Sequence, residues 1–335
     1  MTQWRAFVVG LGAFAIGLCV LEIAVNAAWT RAADPEKAPP SGRVEVKDPG
    51  CIAMRIGDKT LWQFNFKKEE GKPYFHPVCT ADGTCLTWLR PADHRWHRAI
   101  WFSWKYLNKL NYWEENRQGL SQGRTEVITA TCTQTAGGPA NLAVELAYHP
   151  PEKPAVLKER RTIRISLPDK DGRYRMDWQS VFAAQDQEVL LDRTKIKAEG
   201  GPAWGGYAGL SYRAAETMRQ YQVLNSEGLK DMAAHGKHAR WMDFSGVVDA
   251  KTGKAAGVAM FDHPANPRHP TPWYVAARGK FGYFGPALLF DKPLRLAAGK
   301  TLKLTYRILI HPGRGQKEQL EKEYQDFAGE AGKGK

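Results

Sequence analysis

The sequence predicts an all-β protein: one large antiparallel β-sandwich with a short C-terminal helix. Two observations carry this. From Val44 onward polar and apolar residues alternate with period two, the repeat of strands with one buried face. Gly, Pro and Asp interrupt the pattern roughly every ten residues, as turns between antiparallel strands do. Strands alternating with helices, the mark of a doubly wound or (β/α)₈ fold, are absent from the pattern.

The individual segments follow the same rule. Thr162–Leu167 (TIRISL) alternates strictly, and PDKDG then turns the chain into Arg173–Phe182 (RYRMDWQSVF). There Tyr174, Met176 and Trp178 share one face, and Arg173, Arg175 and Asp177 the other. Thr301–Ile310 points Leu302, Leu304, Tyr306, Ile308 and Ile310 inward. Cys79 and Cys85 flank TADGT, whose Asp82-Gly83 is a hairpin turn, so the two cysteines face each other within reach of disulfide geometry. Cysteine spacing matches no zinc ribbon or CxxC motif. The clearest helix runs from about Gln316 to Ala328, with Leu320, Tyr324 and Phe327 at helical spacing. The domain plan is therefore a leader or anchor (1–32), a Pro-rich linker (33–42), a sandwich (43–315), and a helix with a disordered tail (316–335).

The leader is read from Arg5, an uncharged run from Ala6 to Val20, and small residues around Ala27, Ala28, Ala32 and Ala33. A retained anchor is the alternative, although Glu22 and Asn26 shorten the apolar run below a span of about 20 residues. Without residues 1–32 the chain carries 46 Lys and Arg against 34 Asp and Glu, a net charge of +12. A basic exported protein suits anionic polymers or surfaces. Its basic residues are spread along strands, so no nucleic-acid partner is expected. Cys51, Cys79, Cys85 and Cys132, an even number, fit an oxidising periplasmic or secreted setting.

The chemistry-bearing stretch is Asp93–Trp113, DHRWHRAIWFSWKYLNKLNYW. It sets His94 and His97 beside Asp93 and Arg98, then supplies Trp101, Trp104, Tyr106, Tyr112 and Trp113. Imidazoles that can donate or accept, next to aromatic faces, describe a pocket wall better than a plain core. Three further segments stand out: PYFHPVCTADG with His76, WGGYAGLSYR (Trp204–Arg213), and FDHPANPRHPTPWYV (Phe261–Val275).

The succession HP…DG…PxDHxxHR…W, with GLSYR, FDHPxNPRHPTPWY and YRxxxHxG, resembles a bacterial family of unknown function that carries the description "methane oxygenase PmoA"-like. The resemblance spans about Val44 to Gly315. A methane monooxygenase subunit would be a polytopic membrane protein, and here only the N-terminus is hydrophobic. The all-β pattern with aromatic, His-rich loops resembles instead the supersandwich of galactose mutarotase-like proteins, an analogy of fold that leaves function open.

Three functions fit. In a carbohydrate-active enzyme of epimerase, lyase or hydrolase type, His94, His97 or His263 serves as acid and Asp93, Glu114 or Asp262 as base. Arg90, Arg98, Arg268, His76 and His269 would bind substrate, with Trp101, Trp113 and Trp273 stacking on the ring. Such an enzyme needs no cofactor. In the second reading His76, His94 and His97 hold a divalent transition metal, which requires a helical turn at His94–His97. In the third the protein is a non-catalytic carbohydrate- or wall-binding module. The enzyme readings expect His76, His94 and His97 in one pocket and the Pro-rich 261–275 loop folded over it.

Overall fold

The structure, a computed structural model, describes residues 42–330. The leader, the linker up to residue 41 and the last five residues of the tail lie outside the described residues. Among these there are twenty strands: β1 (Gly42–Asp48), β2 (Cys51–Ile56), β3 (Lys59–Asn65), β4 (Tyr74–Val78), β5 (Ile100–Ser103), β6 (Tyr106–Leu107), β7 (Leu110–Asn111), β8 (Arg124–Gln134), β9 (Ala140–His149) and β10 (Leu157–Ile165). The second half adds β11 (Tyr174–Ala184), β12 (Val189–Asp192), β13 (Gly209–Arg213), β14 (Arg219–Asn225), β15 (Trp241–Asp249), β16 (Lys254–Asp262), β17 (Trp273–Arg278), β18 (Phe281–Pro286), β19 (Leu294–Leu296) and β20 (Thr301–Pro312). Helix α1 (Lys317–Glu330) follows.

Two eight-stranded sheets form the sandwich. Sheet one is ordered β1-β2-β3-β4-β5-β13-β18-β17, and sheet two β14-β15-β16-β20-β11-β10-β9-β8. A third sheet, β19-β12-β6-β7, was not expected from the pattern. Its strands are two to four residues long, too short for alternation to register. Neighbouring strands pair antiparallel throughout, as in β10 with β11 and β11 with β20.

The predicted alternation becomes burial directly. Along β10 every second residue is buried and the others are exposed, and β11 repeats the pattern with half-buried partners. The inner faces interdigitate through aromatic pairs, among them Phe75 with Trp178, Phe102 with Phe182 and Phe244 with Phe284, at 5.2–6.1 Å between ring centres. Such pairs contribute about 0.5–1.5 kcal/mol each beyond their buried area. Cys79 and Cys85 do face each other across the Asp82-Gly83 hairpin, both as thiols.

Each sheet also buries part of its outer face. On sheet two, α1 sets Leu320, Tyr324 and Phe327 against Trp241, Phe261 and Leu309. Arg307, buried beneath the helix, pairs with Asp177 at 2.6 Å, Glu323 at 3.1 Å and Glu330 at 2.8 Å. No helix among the described residues is long and apolar enough to cross a membrane. Replacing Phe327 with Ala should lower folding stability by about 3 kcal/mol, the usual cost of a core Phe truncation. Urea denaturation checks this, and the midpoint should fall with little change in slope.

Candidate functional site

Sheet one covers its outer face differently. Because successive side chains alternate, Phe75, Ile100, Leu210, Phe284 and Val275 point into the sandwich core. Their neighbours Tyr74, Trp101, Tyr283 and Tyr274 form a second aromatic cluster on the opposite side. Cross-strand register sets Tyr74 beside Trp101, Trp101 beside Ser211, and Tyr283 beside Ala276. Above this floor lies a cleft of about 810 Å³. Its walls come from the loop bearing His94, Trp96 and His97, from Trp113 and Glu114, from the Ala203–Tyr207 loop, from Met232 and His235, and from the ends of β17 and β18.

Six rings close a circuit around the site. Trp113 contacts Tyr207 at 5.0 Å, Tyr207 Tyr274 at 5.6 Å, and Tyr274 Tyr283 at 5.5 Å. Tyr283 then meets His97 at 5.2 Å, His97 Trp101 at 5.2 Å, and Trp101 Trp113 at 5.4 Å. At the rim Trp204 is 54% exposed, a large apolar face left to solvent. Trp204 also stands 6.4 Å from Tyr207, extending the platform outward.

The His94–His97 segment is neither helix nor strand. Two successive turns, closed by His94 N–H to the Pro91 carbonyl and His97 N–H to the His94 carbonyl, stack the two imidazoles 4.7 Å apart. His97 is 4% exposed, and its Nδ1 is buried with no hydrogen-bond partner among the described residues. Burial holds the His97 pKa well below the ordinary imidazole value, with help from the neighbouring His94, Arg213 and Lys72 charges. The ring is therefore neutral at neutral pH and free to give or take one hydrogen bond. His94 is also held low by burial, against the opposing pull of Asp93. Asp93 comes within 3.2 Å of His94 Nδ1, yet off the direction a hydrogen bond needs. The Asp93 carboxylate is instead gripped by Arg213, at 3.0 and 3.2 Å. Arg213 lies over Phe281 and Trp88.

Glu114 is the one carboxylate among the described residues that line the cleft. Burial raises its pKa, but Lys105, Tyr207 and Asn111 outweigh that and keep it below the usual glutamate value. Tyr207 donates its hydroxyl to Glu114 at 2.7 Å, and Asn111 its amide at 2.6 Å. His235 Nδ1 sits against the Val275 backbone, 2.9 Å from its carbonyl and 3.2 Å from its amide nitrogen, and both atoms belong to one residue of β17.

The remaining expected residues lie elsewhere. His76 does not line the cleft; its Nδ1 is hydrogen-bonded to Thr87 at 2.9 Å. The expected set of His76, His94 and His97 is therefore not assembled, and no three His, Cys, Asp or Glu side chains converge as a metal set among the described residues. Arg90 and Arg98 are committed to Glu115 behind the wall, at 3.1 and 2.7 Å, together with Lys72 at 2.9 Å. Lys72 also donates to the Trp113 carbonyl at 2.7 Å, tying this buried ion cluster to the cleft wall. Trp101, expected to stack on the ring, does not line the cleft; it is 1% exposed and lies beneath His97 and Trp113.

Of the 261–275 segment only Tyr274 and Val275, already on β17, line the cleft; its Pro-rich part does not fold over it, which corrects the expectation from its prolines. Its Asp262 accepts from His269 Nδ1 at 2.8 Å, Asn266 at 2.8 Å and the Thr271 amide at 3.0 Å. Tyr324 of α1 donates to His269 Nε2 at 3.2 Å, and His263 packs edge-on against Phe327. Arg268 donates to the carbonyls of Leu288, Lys292 and Pro293. Trp273 points into the sandwich core and donates to the Ala239 carbonyl. These residues seat the helix and brace loops; the buried polar cluster satisfies itself. Conversely, Trp96, Trp204, Tyr207, His235, Tyr274, Phe281 and Tyr283 line the cleft without having been singled out as site residues.

Five histidines, His76, His94, His97, His235 and His263, have pKa values lowered chiefly by burial. The unfolded chain therefore binds protons that the folded rings refuse. Stability should be complete above about pH 6.5 and fall as pH drops below it. Melting temperatures between about pH 7.5 and 5.5 should show this decline, and His97→Gln should make it shallower.

The chain belongs to a family of unknown function (DUF6807), whose model matches residues 51–325. The family description names no activity. No curated protein matches the sequence. Among solved structures the chain is similar to the alpha-galactosidase from Lactobacillus brevis, at 11% identity over 77% of this chain and 39% of that one, with a TM-score of 0.39. It thus spans about two fifths of that galactosidase's length. It is also similar to the Slr1438 protein from Synechocystis sp. PCC 6803, at 10% identity over 83% of this chain and 97% of that one, with a TM-score of 0.32.

Proposed function

We propose that this member of the DUF6807 family is a carbohydrate-active protein whose cleft binds a sugar or glycoside and moves a proton on it with His97 and Glu114. The observation that supports this most is the closed circuit of aromatic rings containing a buried imidazole whose Nδ1 has no partner among the described residues. The apolar C–H faces of a sugar ring stack on indole and phenol faces, and its hydroxyls need donors and acceptors at the edge. His97, His235 and Glu114 supply those.

The charge states narrow the chemistry. Hydrolysis by the common glycosidase route uses two facing carboxylates, one of them protonated. Among the described residues this cleft offers a single carboxylate, ionised, and a neutral imidazole elsewhere on its lining, so both groups are bases at neutral pH. A base that takes a hydroxyl proton becomes the acid that returns it. That suits proton exchange on one bound sugar, such as epimerisation at the anomeric carbon, better than expulsion of a leaving group. In this proposal the leader-like first 32 residues place the protein in the periplasm or outside the cell, with membrane contact only through that segment. Neither a nucleic-acid partner nor a cofactor is required.

Titration calorimetry against neutral mono- and disaccharides tests the binding. Trp204→Ala should weaken the bound sugar about tenfold or more, with stability within the surface range of about 0.5 kcal/mol. Glu114→Gln should leave sugar affinity within about threefold while anomer exchange, followed by NMR with chelator present, slows about a hundredfold. Failure of the unaltered protein to bind any sugar, or exchange that chelator abolishes, would count against the proposal.

A further inference from the structure

We propose that Cys79 and Cys85 are a modification site: a cross-strand disulfide pair that closes when the protein meets a small-molecule disulfide. The two residues form an antiparallel bridge across the Asp82-Gly83 turn. The flanking hydrogen bonds, Thr80 N–H to the Thr84 carbonyl and Leu86 N–H to the Val78 carbonyl, define which kind of pair it is. They place Cys79 and Cys85 opposite each other at a non-hydrogen-bonded position, where α-carbons approach to about 4.5 Å and side chains are closest. That spacing falls within the range a disulfide spans. Among the described residues Cys51 and Cys132 have no such partner, since β2 and β8 set Asp48, Asn65 and Leu142 opposite them.

The environments of the two thiols differ in a way that orders the reaction. Cys79 is 5% exposed and its thiol is pushed up by its contact with Cys85 and by burial. Cys85 is half-buried, lies 3.6 Å from the Thr87 hydroxyl, and is lowered to about 6 by its contact with Cys79. The Cys85 thiolate attacks one sulfur of the donor disulfide and releases one thiolate. Cys79 then gives up its proton and attacks the Cys85 sulfur of the mixed disulfide, releasing the second thiol. Two cysteines lose two electrons and the donor disulfide gains them, so the exchange balances. The hairpin feeds directly into the arm that carries His94 and His97, held at its base by the bridges Thr87–Ala214 and Leu89–Arg98. Closing the pair thus pins the root of one cleft wall.

The test uses the full chain incubated with oxidised glutathione, then alkylated under denaturing conditions and digested. The peptide carrying both residues should appear two hydrogens lighter and unalkylated, while Cys51 and Cys132 are alkylated. The melting temperature should exceed that of the dithiothreitol-treated protein by about 4 °C, as a short closed loop implies. In Cys79→Ser the reaction should stop with glutathione on Cys85. Recovery of both residues alkylated, or each carrying glutathione in the unaltered protein, would overturn the proposal.

Discussion

In sheet one, neighbouring residues on a strand serve two different interiors. Ile100 and Phe102 fill the sandwich, while Trp101 between them joins the aromatic cluster beneath the cleft; Val275 and Phe284 face inward, while Tyr274 and Tyr283 face outward. The pleat allows no compromise, since a slip of one residue would exchange the two sets. Both faces of the sheet are therefore fixed by the same antiparallel register, and the cleft inherits the rigidity of the core. A ligand meeting such a surface does not have to order it first, which removes one of the usual costs of binding.

Charge secures what the pleat cannot reach. The loops that form the cleft wall converge on Glu115, whose side chain is 2% exposed and is surrounded by Lys72, Arg90 and Arg98. A buried carboxylate with this many donors is held firmly, and removing one partner of such a set typically costs about 3–5 kcal/mol. Under the His94 turn a buried Arg213 holds Asp93, whose own side chain is 45% exposed, so this pair contributes less. Across the molecule, Arg307, Asp177 and Glu323 do it for α1. The arginines and acids that crowd the informative segments are thus mostly framework, and the groups left for a ligand are the rings, the three imidazoles of His94, His97 and His235, and Glu114.

Much of this was legible in the sequence, for a physical reason. Period-two alternation is a local property, so β10, β11 and β20 emerge from it almost residue for residue, and α1 from helical spacing. His94, His97, Trp113 and Glu114 were legible because they sit in one short aromatic segment. The sequence points to Trp273 where its neighbour Tyr274 lines the cleft, because which parity faces which interior is set by the partner strand. Asp262, His263 and His269 read as chemistry because a self-satisfied polar cluster and a catalytic one use the same residues; only α1, docked across them, distinguishes the two. Tyr207 lies in the Gly-rich Trp204–Arg213 segment that the sequence marks out, whereas His235 arrives from the distant Asp231–Ala234 turn with no local signal.

The claim that the outer face of sheet one is the ligand site is tested most directly by NMR of ¹⁵N-histidine-labelled protein titrated with neutral sugars. Ring resonances of His94 and His97 should move with saturable dependence on one sugar, with His235 following at the far wall. His263 and His269, held beneath α1, and His311, paired with Asp243 at 2.7 Å, should stay in place. Shifts confined to His263 and His269, with His94 and His97 unmoved, would put the ligand on the other side of the molecule and contradict this account.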